Sequence, residues 1–228
     1  MIRRYALYWL PAPGSGLEAF GRSVLGYDNV SGHPVPYPDT LQDLAAVTAG
    51  ARVYGFHATL KAPLRLAPDA AEADLVAAAR DLAAAHPPVP VGGLAVAALG
   101  PFLALVPVAP PPELGLLAAE CVAALDPFRA PPTAAERAKR RPDRLDPRGR
   151  ALLDRWGYPY VFEAFRFHLT LTDALPEADR AAWHARLAEA YAATGPEGLT
   201  IESVSLLTQD GSGPFRLLAR LPFGDAHG

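Results

Sequence analysis

The sequence predicts an α+β protein made by duplication: two intimate lobes whose antiparallel sheets flank a central cleft, with helices outside. Three observations predict it. The stretch Tyr54 to Pro63, YGFHATLKAP, is echoed in the second half by Phe165 to Thr172, FRFHLTLT, and both alternate apolar and polar residues with the period of two of a half-buried strand. Each is followed by a helical run and then by apolar runs that read as a hairpin. The tripeptide Gly-Pro-Phe opens the last strand of both halves, at Gly100 to Phe102 and at Gly213 to Phe215. A repeated order of elements is the mark of an internal repeat.

Taken in order, Tyr5 to Leu10 reads as a first strand. Leu17 to Leu25 reads as a helix capped by Ser15 and ended by Gly26. Asp28 to Pro38 is rich in turn residues, and its His33, set among Gly32, Pro34 and Pro36, reads as a loop residue. Asp39 is placed to cap a short helix from Thr40 to Thr48, which leads to the first motif strand. Asp69 starts a helix, Ala70 to Ala85, closed by His86, Pro87 and Pro88; a cation there suits the helix C-terminus. Gly93 to Leu99 and Phe102 to Val108 form the first hairpin around Gly100 and Pro101. After the second motif come a helix, Glu177 to Ala193, a strand, Leu199 to Leu207, a Gly-rich turn, Asp210 to Gly213, and a strand, Phe215 to Leu221. His184 falls on the outer surface of that helix in this reading.

Between the repeats lies an insert, residues 110–160. A helix from Glu113 to Leu125 carries Cys121, read as a small packed hydrophobe. Pro131 to Arg150 then holds Arg137, Lys139, Arg140, Arg141, Arg144, Arg148 and Arg150 against Glu136, Asp143 and Asp146. Such a run is either a solvated surface or a flap that steers an anion toward the cleft.

Composition narrows the function. Half of the 228 residues are hydrophobic, enough for a real core in one globular unit. A net charge of −3 and a pI near 6.1 argue against a general nucleic-acid coat protein, while a small anionic ligand needs only local positive charge. Cys121 is the only cysteine, which excludes an internal disulfide and a cysteine-rich zinc site and fits a reducing compartment. The apolar run after the two N-terminal arginines is cut by Pro11 and Pro13, too short for a membrane span or a signal-peptide core, so a cytoplasmic protein with no membrane partner is expected. The prolines and alanines reflect compositional bias.

On the motif strands, Tyr54, Phe56, Ala58 and Leu60 are expected to face the core, with His57, Thr59 and Lys61 opposite. In the second strand Phe165, Phe167, Leu169 and Leu171 face the core, with Arg166, His168, Thr170 and Thr172 opposite. One H-x-T proves little; two copies suggest a pseudo-symmetric cleft in which one imidazole takes a proton and the other gives one. No H-x-H, H-E-x-x-H, Walker loop, G-x-G-x-x-G or G-x-S-x-G is present, so no metal or cofactor is expected.

The chain resembles the two-histidine (2H) phosphoesterase superfamily, and within it the bacterial branch associated with phosphonate-utilisation operons. The resemblance runs through RYALYWLP (Arg4 to Pro11), both H-x-T strands, RWGYPYV (Arg155 to Val161) and GPFRLLARLPF (Gly213 to Phe223). Where relatives read Leu-Thr-x-Arg-Gln, this chain has Leu145, Asp146, Pro147, Arg148 and Gly149, and no role is carried over there. The resemblance implies metal-independent hydrolysis of a small cyclic phosphodiester, a ribose 1,2-cyclic phosphate in phosphonate catabolism. His57 and His168 would be the acid–base pair and Thr59 and Thr170 the phosphate ligands. Lys61 and Arg166 share the polar strand faces and either add positive charge or are solvated; Tyr54 and Tyr160 either contact the substrate or pack the lobe junction. Two other readings remain open: an RNA-end 2′,3′-cyclic phosphodiesterase, and a non-catalytic module that binds a phosphorylated sugar or nucleotide. Pseudo-symmetry hides which histidine is the base, and the sequence assigns no oligomeric state.

Overall fold

The structure, a computed structural model, describes residues 2–224. Strand β1 (Arg3–Trp9) opens it, buried from Tyr5 onward. Helix α1 (Gly16–Leu25) starts and stops where the sequence sets its signals: the Ser15 hydroxyl accepts from the Glu18 N–H, and Gly26 closes the last turn at φ 64°. The helix expected over Thr40 to Thr48 is instead two single turns, α2 (Leu44–Val47) and α3 (Ala49–Arg52). Its intended cap fails, and the Thr48 hydroxyl donates back to the Leu44 carbonyl at 2.7 Å, a bond that competes with helix propagation.

Strand β2 (Ala58–Leu64) carries the first motif, but Tyr54 to His57 precede it as an irregular lead-in rather than as strand. Helix α4 (Glu72–Ala84) follows, then β3 (Val89–Gly92), which the sequence reading lacked, and the expected hairpin of β4 (Leu94–Leu99) and β5 (Phe102–Pro107). The insert supplies α5 (Pro112–Leu125), α6 (Ala134–Lys139) and α7 (Pro147–Trp156). Strand β6 (Leu169–Thr170) takes only the last two residues of the second motif: Phe165 to His168, expected as strand, precede it as irregular chain, and it ends at Thr170 because the Leu171 and Thr172 N–H groups both turn to the Leu103 carbonyl. Helix α8 (Glu177–Ala192) leads to the last strands. The single run expected there divides into β7 (Leu199–Ile201) and β8 (Ser203–Asp210), followed by β9 (Arg216–Pro222).

Two antiparallel sheets and flanking helices are as the sequence predicts, but the strands are shared out differently. The large sheet runs β4-β5-β6-β2-β1-β8-β9, and β3 pairs with β7 in a small second sheet. The halves exchange hairpins: β4 and β5, from the first half, lie against the second motif strand, whereas β8 and β9, from the second, extend the side that holds the first motif strand. Both motif strands therefore meet at the centre of one sheet, joined by the pair Ala58↔Leu169.

The main core lies on one face of that sheet, where Leu7, Trp9, Leu60, Leu105, Leu169 and Leu206 are buried in one cluster with side chains of α1, α4, α5 and α8. Each such aliphatic side chain contributes about 1.5–3 kcal/mol by leaving water. Cys121 is packed there as a small hydrophobe, and burial raises its thiol pKa. A smaller cluster, Ala6, Tyr8, Leu10, Leu207 and Phe215, lies apart from it. The insert is fastened by ion pairs, Arg65 to Glu136, Arg137 to Asp154 and Arg148 to Glu163.

Candidate active site

The pair Ala58↔Leu169 fixes the geometry of both motifs. Because the strands run antiparallel, extending the register one residue each way sets His57 opposite Thr170 and Thr59 opposite His168. The two histidines are then diagonal neighbours, whose Cα atoms stand about 7–8 Å apart in a regular ladder. Cavities follow this crossed arrangement. One of about 600 Å³ is lined by Thr59, Phe102, Tyr160, Phe162, Arg166 and His168, and one of about 280 Å³ by Tyr54, His57, Phe102, Thr170 and Asp173. Phe102 is common to both.

Each histidine is held by its own backbone in the same way. The His57 Nδ1–H donates to the Gly55 carbonyl at 2.9 Å, and the His168 Nδ1–H to the Arg166 carbonyl at 2.7 Å. A carbonyl only accepts, so both neutral rings carry the proton on Nδ1 and present a bare Nε2. At His57 that nitrogen lies 3.1 Å from the Thr59 hydroxyl, which donates to it. Gly55 makes this possible: it is buried at φ +68°, and a Cβ there would lie 2.1 Å from the Asn29 side chain, whose amide holds the Tyr54 carbonyl at 2.8 Å.

Burial pushes the His57 imidazole down to about 4, with the Gly55 carbonyl opposing and His168 adding a further lowering. Burial also lowers His168, against the Arg166 carbonyl. Tyr8 of β1 stacks on His57, ring centroids 3.7 Å apart, and Phe102 tilts against His168 at 5.8 Å. Neither aromatic was singled out by the sequence reading. The signal for Tyr8 is its place in β1, three residues after Tyr5 in an apolar run, and only strand order reveals it as the neighbour of Thr59.

Lys61 requires a correction. It is buried, and its ammonium donates to the Asp126 carboxylate and to the Val122 carbonyl, both at 2.9 Å, on the side of α5. Along β1 and β2 the register shifts between Leu7↔Lys61 and Tyr8↔Thr59, so β2 holds one extra residue and Lys61 leaves the face that Thr59 occupies. Asp126 also receives Arg129 and Arg155; burial raises its carboxyl, but the hydrogen bonds and charges of Arg129 and Lys61 outweigh it and hold the group below the usual range. Thr172, expected on the polar face, is likewise buried, its hydroxyl accepting from the Leu103 N–H.

Arg166 is exposed on the wall of the larger cavity, and its guanidinium has no partner among the described residues. Tyr54 and Tyr160 are 37% and 56% exposed and line the smaller and the larger cavity respectively. Asp173 accepts from the Gly50 and Ala51 N–H groups, fastening α3 beside the second motif. Among the described residues there is no group of three His, Cys, Asp or Glu side chains placed to hold a metal ion, and no helix is long and apolar enough to cross a membrane.

Residues 59–216 match a protein family described as protein of unknown function (DUF1045). The chain belongs to that family. It is also similar to two curated proteins named ribose 1,5-bisphosphate phosphokinase PhnN. One, from Janthinobacterium sp. (strain Marseille), is 42% identical over 97% of this chain, and the other, from Laribacter hongkongensis (strain HLHK9), is 39% identical over 96%. The chain spans 51% of the length of each. Among solved structures, E. coli LigT complexed with 3′-AMP aligns over 98% of this chain and 99% of its own, at 14% identity and a TM-score of 0.45. A conserved protein of unknown function from Agrobacterium tumefaciens str. C58 aligns over 96% and 86%, at 15% identity and a TM-score of 0.44.

Proposed function

We propose that the protein hydrolyses a small cyclic phosphodiester, a ribose 1,2-cyclic phosphate, with His57 as base, His168 as acid and Thr59 and Thr170 as phosphate ligands. The observation that carries this reading is the antiparallel register about Ala58↔Leu169, which sets two identically tethered imidazoles on either side of one strand pair. In the reaction, Nε2 of His57 takes a proton from water as its oxygen bonds to phosphorus. The bond from phosphorus to a ring-closing sugar oxygen breaks, and protonated Nε2 of His168 gives that oxygen its proton. A phosphate monoester leaves, and proton exchange with solvent resets both rings. Each proton transfer is worth about 10²–10⁴ in rate, and the threonine hydroxyls, that of Thr59 turning from Nε2 of His57 to the phosphate when substrate binds, stabilise charge on the phosphoryl oxygens.

The roles differ because the environments do: His57, stacked on Tyr8 and lowered to about 4, is neutral near pH 7 and suited to accept. Arg166 supplies positive charge beside His168. The names of the half-matched relatives support a ribose phosphate as substrate. The phosphokinase activity in those names we assign to the half this chain does not span, since it has no Gly-rich loop ending in Lys-Ser or Lys-Thr to cradle a nucleotide's phosphates.

A second reading, cleavage of 2′,3′-cyclic phosphates at RNA ends, is favoured by one observation: Phe102, Tyr160 and Phe162 line the larger cavity beside His168, as a stacking base would need. The test is to incubate EDTA-treated protein with ribose 1,2-cyclic phosphate, mononucleoside 2′,3′-cyclic phosphates and short RNA ending in a cyclic phosphate. Turnover of the ribose ester above the others is expected. Preference for RNA ends selects the second reading, and tight binding without turnover of any of them leaves a binding module.

A further inference from the structure

The duplicated tripeptide Gly-Pro-Phe ends in different surroundings in the two halves. Phe102 opens β5, and Phe215 immediately precedes β9. Sheet order separates them: β5 lies directly against β6, whereas β1 and β8 stand between β2 and β9. Phe215 is therefore absorbed into the protein. It is fully buried, its ring tilts against Tyr8 at 5.8 Å and stacks on Tyr54 at 5.6 Å, and its carbonyl accepts from the Tyr27 hydroxyl at 3.1 Å. Phe102 stays only partly buried, in the cleft. It shares a strand face with Ala104, which pairs with Thr170, and its ring tilts against His168.

The two cavities of the cleft have Phe102 in common, while each histidine lines one of them alone. The ring thus stands between a chamber of about 600 Å³ at His168 and one of about 280 Å³ at His57. It is a fixed partition. The Pro101 carbonyl accepts from the Leu175 N–H at 2.8 Å, the Leu103 N–H donates to the Thr172 hydroxyl at 3.0 Å, and the Leu103 carbonyl accepts from the Leu171 and Thr172 N–H groups. The backbone on both sides of Phe102 is tied to the segment that follows the second motif, so the ring keeps its place relative to His168 and Thr170.

A cyclic diester carries both ester oxygens on one sugar, so it presents a single organic group and leaves the other side of phosphorus free for water. A linear diester carries two organic groups; with one of them in the chamber at His168, the other must extend past the ring. We propose that Phe102 is the specificity-determining residue of the cleft: its ring confines the organic part of the substrate to the chamber at His168 and leaves the chamber at His57 to water, so that the site accepts cyclic phosphodiesters and refuses linear ones. This rests on the cyclic-diester reading and adds the residue that enforces it. The discrimination comes from an obstacle to the wrong ligand and not from a contact with the right one.

The probe is dibenzyl phosphate, a linear diester that resists hydrolysis, titrated calorimetrically into the full chain. The parent is expected to bind it weakly. Phe102→Ala should bind it about tenfold more tightly, Phe102→Leu a few-fold more tightly, and Phe102→Tyr as weakly as the parent. Phe215→Leu removes the duplicate ring and should give no gain. In turnover, kcat/KM for bis(p-nitrophenyl) phosphate should rise in Phe102→Ala while that for ribose 1,2-cyclic phosphate does not. A ring that only supported His168 would lower the second value without raising the first. Should Phe102→Ala fail to fold, Phe102→Leu decides in its place. Unchanged or weaker binding of dibenzyl phosphate in the folded variant, or an equal gain in Phe215→Leu, overturns the partition and leaves the hydrolase reading standing. A parent that takes linear and cyclic diesters alike overturns it too. A gain in Phe102→Ala in a protein that hydrolyses no cyclic phosphate supports the partition and refutes the hydrolase.

Discussion

The imidazole of His57 lies flat on the ring of Tyr8, their planes 22° apart and their centroids separated by 3.7 Å. This contact removes water from one face of the imidazole and underlies its low pKa. Because burial disfavours the charged ring, His57 stays neutral down to about pH 4, whereas His168, also lowered by burial, loses its proton somewhere below the usual 6.5.

The sign of the pH dependence follows. A base must be neutral, so kcat/KM should rise with pH through about 4; an acid must be protonated, so it should fall as His168 deprotonates below 6.5. A bell with its maximum on the acid side of neutrality is expected for the free enzyme. The kcat profile should be displaced to higher pH, because a bound phosphate favours both charged rings. A profile of kcat/KM that is still rising above pH 8 would contradict the assignment.

Side-chain replacement separates proton transfer from binding. His57→Ala or His168→Ala should each lower kcat by about 10²-fold or more while ligand affinity stays within a few-fold. Thr59→Val and Thr170→Val, which keep shape and lose a donor, should weaken binding of phosphate-bearing ligands as well. The double histidine variant should be little worse than the single ones, since both rings serve one transition state. Turnover that survives the double replacement, measured after gel filtration and EDTA treatment, would remove the acid–base mechanism.

Much of this was legible in the sequence. The Ser15 cap, the Gly26 stop and the hairpin about Gly100 rest on local rules, and they appear where those rules put them, whereas both motif strands begin later than their alternation predicts, after His57 and after His168. What the sequence hides is long-range. Nothing in a period of two reveals that the hairpins are exchanged between halves, or that one extra residue beside Leu60 turns Lys61 toward α5. Tyr8 and Phe102 read as ordinary strand residues until the strand order brings them against His57 and His168.

The Lys61 network yields a stability prediction instead of a catalytic one. Asp126→Asn leaves Lys61, Arg129 and Arg155 gathered without their counter-charge, one of them buried, and should cost about 3–5 kcal/mol in urea denaturation. Lys61→Met leaves Asp126 still paired with two arginines and should cost less. With ribose 1,2-cyclic phosphate, the Lys61→Met protein should keep KM within a few-fold of the parent. A KM increase of tenfold or more at unchanged fold would restore Lys61 as a phosphate ligand.

Gly55 offers the sharpest test of how the site is held, because it acts on His57 without touching the reacting atoms. Its φ of +68° costs an alanine about 1–2 kcal/mol, and the added Cβ would lie 2.1 Å from the Asn29 amide that fixes the Tyr54 carbonyl. Gly55→Ala must therefore shift the chain on either side, and with it the Gly55 carbonyl that receives the His57 Nδ1–H. Freed from that acceptor, the ring is no longer restricted to the tautomer with a bare Nε2. The expected outcome is a fall in kcat of roughly tenfold or more with KM little changed, together with a mixed tautomer signature in the 15N spectrum of His57. Gly92→Ala is the matched control: its φ is +80° with open space around the added Cβ, so it carries the backbone strain but lies away from the site. Equal losses of kcat in the two variants would mean that strain alone, and not the carbonyl tether, sets the activity of His57.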